Sequence, residues 1–190
     1  MTDGPARPTE IALLAAQLDA SMEFFWDRLV GLGDEEFLWE PGPGAWNLRP
    51  RAHIRTSRSH GAGEWAWEYE PGQPSPAPLR TIGWLMWHMS AACLGRADWT
   101  IGAHNLTDDE IPCPPTATAG IALLREAVGR YRAVFDEVPA HEFAHVGRSQ
   151  YPDGLDPQLP LREILWWQNR EMIHHCAEVS LLRDLYRNRN

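Results

Sequence analysis

Leu161-Arg-Glu-Ile-Leu165-Trp-Trp-Gln168-Asn-Arg-Glu171-Met172-Ile-His-His175-Cys-Ala-Glu-Val179-Ser-Leu-Leu182-Arg-Asp-Leu-Tyr186 is the stretch on which the fold turns. Leu161, Leu165, Gln168, Met172, His175, Val179, Leu182 and Tyr186 recur at steps of three and four, the period of a helix that buries one seam. Pro160 stands just ahead, at a favoured first-turn position, so the spacing predicts a helix from near Pro160 to about Tyr186. The ends of this seam are hydrocarbon and its middle is polar. Glu171 and His175 are one turn apart and point from the same face, so both side chains can reach one ion.

The same period recurs upstream. Ile11, Leu14, Leu18, Met22, Phe25 and Leu29 predict a first helix from Thr9, a possible cap, to about Leu32, ended by Gly31 and Gly33. A second helix is predicted from about Leu79 to His104, with Leu85, His88, Ala92, Gly95 and Trp99 along its seam. Ile121, Leu124, Val128, Tyr131, Phe135 and Val138 mark a third, from about Thr118 to Val138, stopped by Pro139. Glu40 to Pro78 is rich in proline and glycine and too long for a plain connector. Within it Glu64 to Tyr69 alternates with period two, and Gly61-Ala62-Gly63 can turn that run back onto Arg51 to Ser57 as a hairpin. A loop with Pro152, Asp153, Gly154 and Pro157 precedes the last helix. Four amphipathic helices with long connections predict an all-α four-helix bundle, one domain over residues 1–190, with a long irregular insertion between helices one and two.

Composition narrows the function. A chain of 190 residues with net charge −9 and no basic block repels a phosphate backbone, so nucleic acid is not an expected partner. Cys93, Cys113 and Cys176 show no Cys-x-x-Cys spacing and are odd in number, which argues against a disulfide framework and a thiolate zinc knuckle. The beginning of the chain carries no basic-then-apolar leader, and no run reaches about eighteen apolar residues. A cytoplasmic protein that does not span a membrane is expected. Ten tryptophans, several beside Glu171 and His88, can wall a pocket or fill a core.

His88 interrupts the seam of helix two as His175 interrupts that of helix four, and bundles hold metals between facing helices at mid-height. A buried, unpaired carboxylate costs several kcal/mol, so Glu171 needs a cation or a strong donor. His88, Glu171 and His175 are therefore the candidate metal ligands. On spacing alone the alternative is open: Glu171 and His175 as an ordinary helix ion pair, with His88 a satisfied core histidine. His174 projects about 100° from His175 and is expected at the surface or behind the ligands. Cys93 and Cys176 are off the ligand face and read as small buried hydrophobes.

His141-Glu142-Phe143-Ala144-His145 matches the His-Glu-x-x-His pattern of zinc peptidases, with Glu163 as a downstream carboxylate. Pro139 before it and Gly147 and Pro152 after it leave room for only a short helical piece, against that chemistry. His53, His60 and His104 are expected in solvent.

Four stretches carry a family resemblance: Leu29-Val-Gly-Leu-Gly-Asp-Glu-Glu-Phe-Leu-Trp-Glu-Pro41, Gly44-Ala-Trp46-Asn-Leu, Thr81-Ile-Gly-Trp-Leu-Met-Trp-His88 and Glu171 to Tyr186. In these the chain resembles the DinB-like superfamily, over nearly its whole length apart from about Arg51 to Pro78 and the loop around Tyr151. The resemblance implies an up-down-down-up four-helix bundle that often forms a homodimer. It also implies a divalent metal, commonly zinc or nickel, held by one histidine of helix two and two ligands of helix four. His88 and His175 match by motif. Glu171 stands where many members have histidine, and is similar to the mycothiol-dependent maleylpyruvate isomerase branch in being glutamate.

Several members of that superfamily use mycothiol, bacillithiol or glutathione. The implied function is a metal-dependent thiol transferase or isomerase acting on a small molecule, since a metal with an open position lowers the pKa of a bound thiol. Alternatives are metal-water hydrolysis, iron chemistry on the same two-histidine-one-carboxylate set, and a non-catalytic metal-stabilised binding module. The insertion can bring His53, Arg55 or Glu64 to the pocket or leave them in water.

Overall fold

The three-and-four spacing from Ile11 to Phe25 places Ile11, Leu18, Met22 and Phe25 on the buried side of helix α1 (Thr9–Arg28) in the computed structural model, which describes residues 9–72, 74–152 and 156–189. Thr9 is already helical, so the expected cap is instead a first-turn residue. The chain then makes a one-turn helix, α2 (Asp34–Phe37), and enters the insertion. Beyond it run three long helices, α3 (Ile82–Ile101), α4 (Ala117–Glu137) and α5 (Leu161–Arg187). Threonines cap two of them: Thr81 accepts from Trp84 N at 3.2 Å, and Thr116 from Ala119 N at 3.3 Å. Pro160 is the cap residue of α5, one position before the first turn.

Helix α3 packs against α4 and α5, and α1 packs against α5 and α4. Most of the buried apolar residues form one continuous cluster. Every seam residue of α5 from Leu161 to Val179 is buried, His175 included. Among the described residues, no helix is long and apolar enough to cross a membrane. Asp153 and Gly154 of the loop before α5 lie outside the described residues.

Phe37, fully buried, locks the short helix to the long ones. A Cβ on Gly83 of α3 would stand 3.0 Å from its ring, and one on Gly120 of α4 would stand 2.7 Å away. Two side-chain anchors flank it. Asp34 Oδ1 accepts from Ala117 N at 2.8 Å, and Glu36 pairs with the buried Arg183 of α5, Oε1 to Nε 2.7 Å.

The insertion is not irregular throughout, and the chain is not all-α. Strands β1 (Leu48–Pro50), β2 (Arg58–His60) and β3 (Trp65–Tyr69) form an antiparallel sheet in the order β1-β3-β2. The turn around Gly61 to Gly63 does reverse the chain, but it pairs β3 with Arg58 to His60 rather than with Arg51 to Ser57. The other edge of β3 is taken by Leu48 to Pro50. Residues Arg51–His53 are a short 3₁₀ turn between the two edges. A sheet this small is stable only by packing on a helix. It does so by a reciprocal pair of indole bonds: Trp67 Nε1 donates to Trp84 O at 3.2 Å and Trp84 Nε1 donates to Glu68 O at 2.8 Å.

Candidate metal centre

His88 stands one turn after the α3 residues that hold the sheet, so the insertion covers it. Its ring lies parallel to that of Trp84, centroids 5.5 Å apart, and to that of Trp67 at 6.1 Å. Burial, then the charges of His175 and Arg80, push the His88 pKa down to about 3, with Glu178 opposing. At neutral pH His88 is therefore a neutral ring carrying a lone pair, which is the form that binds metal.

From α5, His175 meets His88 edge to face, ring centroids 5.0 Å apart at 85°. Two imidazoles sharing one tetrahedral ion through bonds of about 2.0–2.1 Å have ring centres roughly 5 Å apart. The two sides of the His175 ring meet different carboxylates. Nδ1 is 2.7 Å from Glu178 Oε2, and Nε2 is 3.3 Å from Glu171 Oε2. An ionised carboxylate only accepts, so the short contact to Glu178 puts a proton on Nδ1. In a neutral ring Nε2 then turns a lone pair towards the Glu171 oxygen. That juxtaposition calls for a positive charge between them, either a second proton on the ring or a cation.

Glu178 is the functional-site residue that the sequence reading passed over. Burial alone would raise its carboxyl, but the His175 hydrogen bond, then Arg80, His175 and His174, carry it below the usual glutamate range. Its other oxygen accepts from Arg80 Nη2 at 2.9 Å. Arg80, immediately before the Thr81 cap, lies with its guanidinium carbon 5.7 Å from the Trp84 ring centre. The signal for Glu178 was present as a His-x-x-Glu step along α5, which brings the carboxylate back beside the ring.

The sequence model of one family matches residues 17–179, described as the DinB superfamily. This chain belongs to the DinB superfamily. Members of the DinB superfamily typically bind a divalent metal. No protein of curated function and no solved structure matches the chain.

The donor types gathered at the DinB site fit such an ion: two imidazoles, of which at least His88 is neutral, and a carboxylate, with a second carboxylate orienting one ring in the way that metal-binding histidines are commonly oriented. The cage is not closed. Among the described residues, no three His, Cys, Asp or Glu side chains meet at one point. His175 is paired with each of the other two, while Glu171 Oε1 is drawn 2.6 Å from Arg170 Nη2 towards solvent.

The other candidates fall elsewhere. His174 is exposed, stacked on His175 with centroids 5.4 Å apart. His141 to Ala144 belong to a 3₁₀ turn in which Glu142 is held by Arg148, so the peptidase-like pattern never presents two histidines on one face of an α-helix. From the insertion, His53 and Glu64 are exposed and Arg55 pairs with Glu40 at 2.6 Å. The insertion brings aromatic rings to His88 instead of these charges. His60 is half-buried rather than solvated, with Nδ1 3.2 Å from Asp109 Oδ1. Cys93 and Cys176 pack on Met172 and Met89, sulfur to sulfur 3.5 and 3.9 Å, as small core residues.

Proposed function

We propose that this DinB protein is a metal-dependent thiol transferase or isomerase acting on a small molecule, with zinc or nickel held by His88, Glu171 and His175. The observation that carries the reading is His175 Nε2 facing the Glu171 carboxylate at 3.3 Å, with the ring of His88 centred 5.0 Å from that of His175. When bound, such an ion supplies Lewis acidity that lowers the pKa of a small thiol towards neutrality. The sulfur nucleophile comes from solution, because the chain's own thiols are unsuited. All three are buried, and burial raises Cys113 and Cys176 to about 12 and Cys93 higher still.

The chain's residues have distinct tasks. Glu178 keeps the proton on Nδ1 of His175 and so leaves Nε2 for ligation. Trp67 and Trp84, stacked on each other at 4.6 Å, lie together on one side of the His88 ring. The long helices run up-down-down-up in this reading, and the protein works as a homodimer in a reducing cytoplasm, where its three free cysteines persist.

Metal content by mass spectrometry is compared between the native chain, Glu171→Gln and His175→Ala, and the zinc- or nickel-loaded protein is then assayed for thiol consumption with a panel of electrophiles. The expected result is near-stoichiometric metal in the native chain, a loss in both variants, and thiol consumption that follows metal content. Absence of stoichiometric metal from native protein overturns the proposal and leaves a bundle that binds a small ligand or partner without chemistry.

A further inference from the structure

Next to the metal site a cavity of about 630 Å³ opens between the insertion and the start of α3. Its size falls in the range of about 300–1,000 Å³ usual for small-molecule sites. Trp46, Tyr69, Pro74 and Pro78 give it flat, apolar walls, and the two charged groups on it are Glu70 and Arg80. Trp46 and Tyr69 lie 6.2 Å apart, centroid to centroid, so a flat ligand has a ring surface to lie against.

The two charges are not equivalent. Glu70 is satisfied within the insertion: Ser57 N donates to Oε2 at 2.8 Å and Ser57 Oγ donates to Oε1 at 2.6 Å. Arg80 gives one N–H to Glu178, and a guanidinium has five N–H donors in a planar fork that suits a carboxylate. Its backbone is fixed, since Trp46 N donates to Leu79 O at 2.8 Å and Thr81 N donates to Trp46 O at 3.0 Å. Arg80 is also the joint between cavity and metal site, lining one and bonded through Glu178 to His175 in the other. Trp46 makes a second joint, 5.7 Å from Trp84, which in turn lies on His88.

We infer that this cavity binds a small molecule with a flat or apolar body and a carboxylate, the carboxylate on Arg80 and the body against Trp46 and Tyr69. A ligand so placed has its charged end towards the His88 and His175 rings. This gives the class of substrate for the proposed reaction and in that respect rests on it, but binding itself needs no metal.

The test uses chelator-treated, metal-free protein. Tryptophan fluorescence and calorimetry follow titration with trans-cinnamate and phenylacetate, and with their primary amides, which keep the shape and lose the charge. The acids are expected to bind saturably and the amides roughly tenfold or more weakly, since one charge-assisted contact is at stake. Arg80→Gln is expected to weaken the acids to the level of the amides, and Arg80→Lys to restore part of the difference. Ala77→Trp, which adds an indole to the cavity lining and keeps the Arg80 guanidinium, is expected to weaken acids and amides alike. Equal binding of acid and amide, no saturable binding of the acids, or unchanged affinity in Arg80→Gln with a native circular dichroism spectrum each overturns the inference. Failure here leaves metal uptake by the native chain untouched, and failure of metal uptake leaves the acid–amide difference standing, so the two readings fall separately.

Discussion

Which nitrogen of His175 faces the site is decided by one carboxylate, Glu178, 2.7 Å from Nδ1. Glu178→Gln weakens that hold without removing a ligand, so the expected outcome is a roughly 10- to 100-fold loss of metal affinity with full occupancy still reached at high metal. Competition against a chromogenic chelator measures it, and an unchanged affinity would show that Glu178 does not orient the ring. The thiols give a second expectation. With Cys113 and Cys176 raised to about 12 and all three cysteines buried, the neutral thiol dominates at pH 8, so native protein should react slowly with a disulfide reagent and release its three equivalents only on denaturation. Fast labelling of the native protein would count against buried, inert thiols. The sequence carried His88, Glu171 and His175 as a set because their spacing interrupts two apolar seams. It could not say which glutamate takes which side of His175. Glu171 and Glu178 lie one turn to either side, on the same face, and the tie from Glu178 to Arg80, which lies beside Trp84, comes from another element of the fold.

The four long helices were legible at the scale of elements because each buries a seam about five turns or more in length, and their observed ends differ from the expected ones by a few residues where caps intervene. Helix α2 and the sheet were less so. One turn of helix has no period to read, and β3 carries partners on both edges, so alternation from Trp65 to Tyr69 could not choose between Arg51 to Ser57 and Arg58 to His60. What fixes α2 is close approach. Phe37 fits between Gly83 and Gly120 because neither has a side chain, and a methyl on Gly120 would sit 2.7 Å from its ring. Helix propensity alone favours alanine over glycine by up to about 1 kcal/mol. Overpacking costs about 1–3 kcal/mol and should win here, since Phe37 is fully buried and has nowhere to move. Gly120→Ala is therefore expected to lower stability in urea denaturation, whereas the same change at Gly129 of α4, where a Cβ meets nothing within 4 Å, should raise it slightly. A stabilising Gly120→Ala would mean that Phe37 is not held as described.

For the whole molecule, the surface that remains to be explained is apolar and lies on α1 and α5. Phe24 is 78% exposed and Leu13 66%, eleven residues apart on α1 and so about 20° apart around it. On α5, Trp166, Ile173 and Leu181 are exposed along one stripe. Phe24 and Ile173 border a shared groove of about 220 Å³ between the two helices. The homodimer proposed above would cover this face. Around a two-fold axis the same patch would face itself. A stable interface needs roughly 800 Å² from each partner, which two helices of this length can supply. Phe24→Arg and Leu181→Arg place charge on that patch and are expected to convert a dimer to a monomer in analytical ultracentrifugation. Neither residue touches His88 or His175, so metal content should persist in the monomer. A native chain that sediments as a monomer at all concentrations, or a dimer indifferent to both substitutions, would mean that this face does not join two copies.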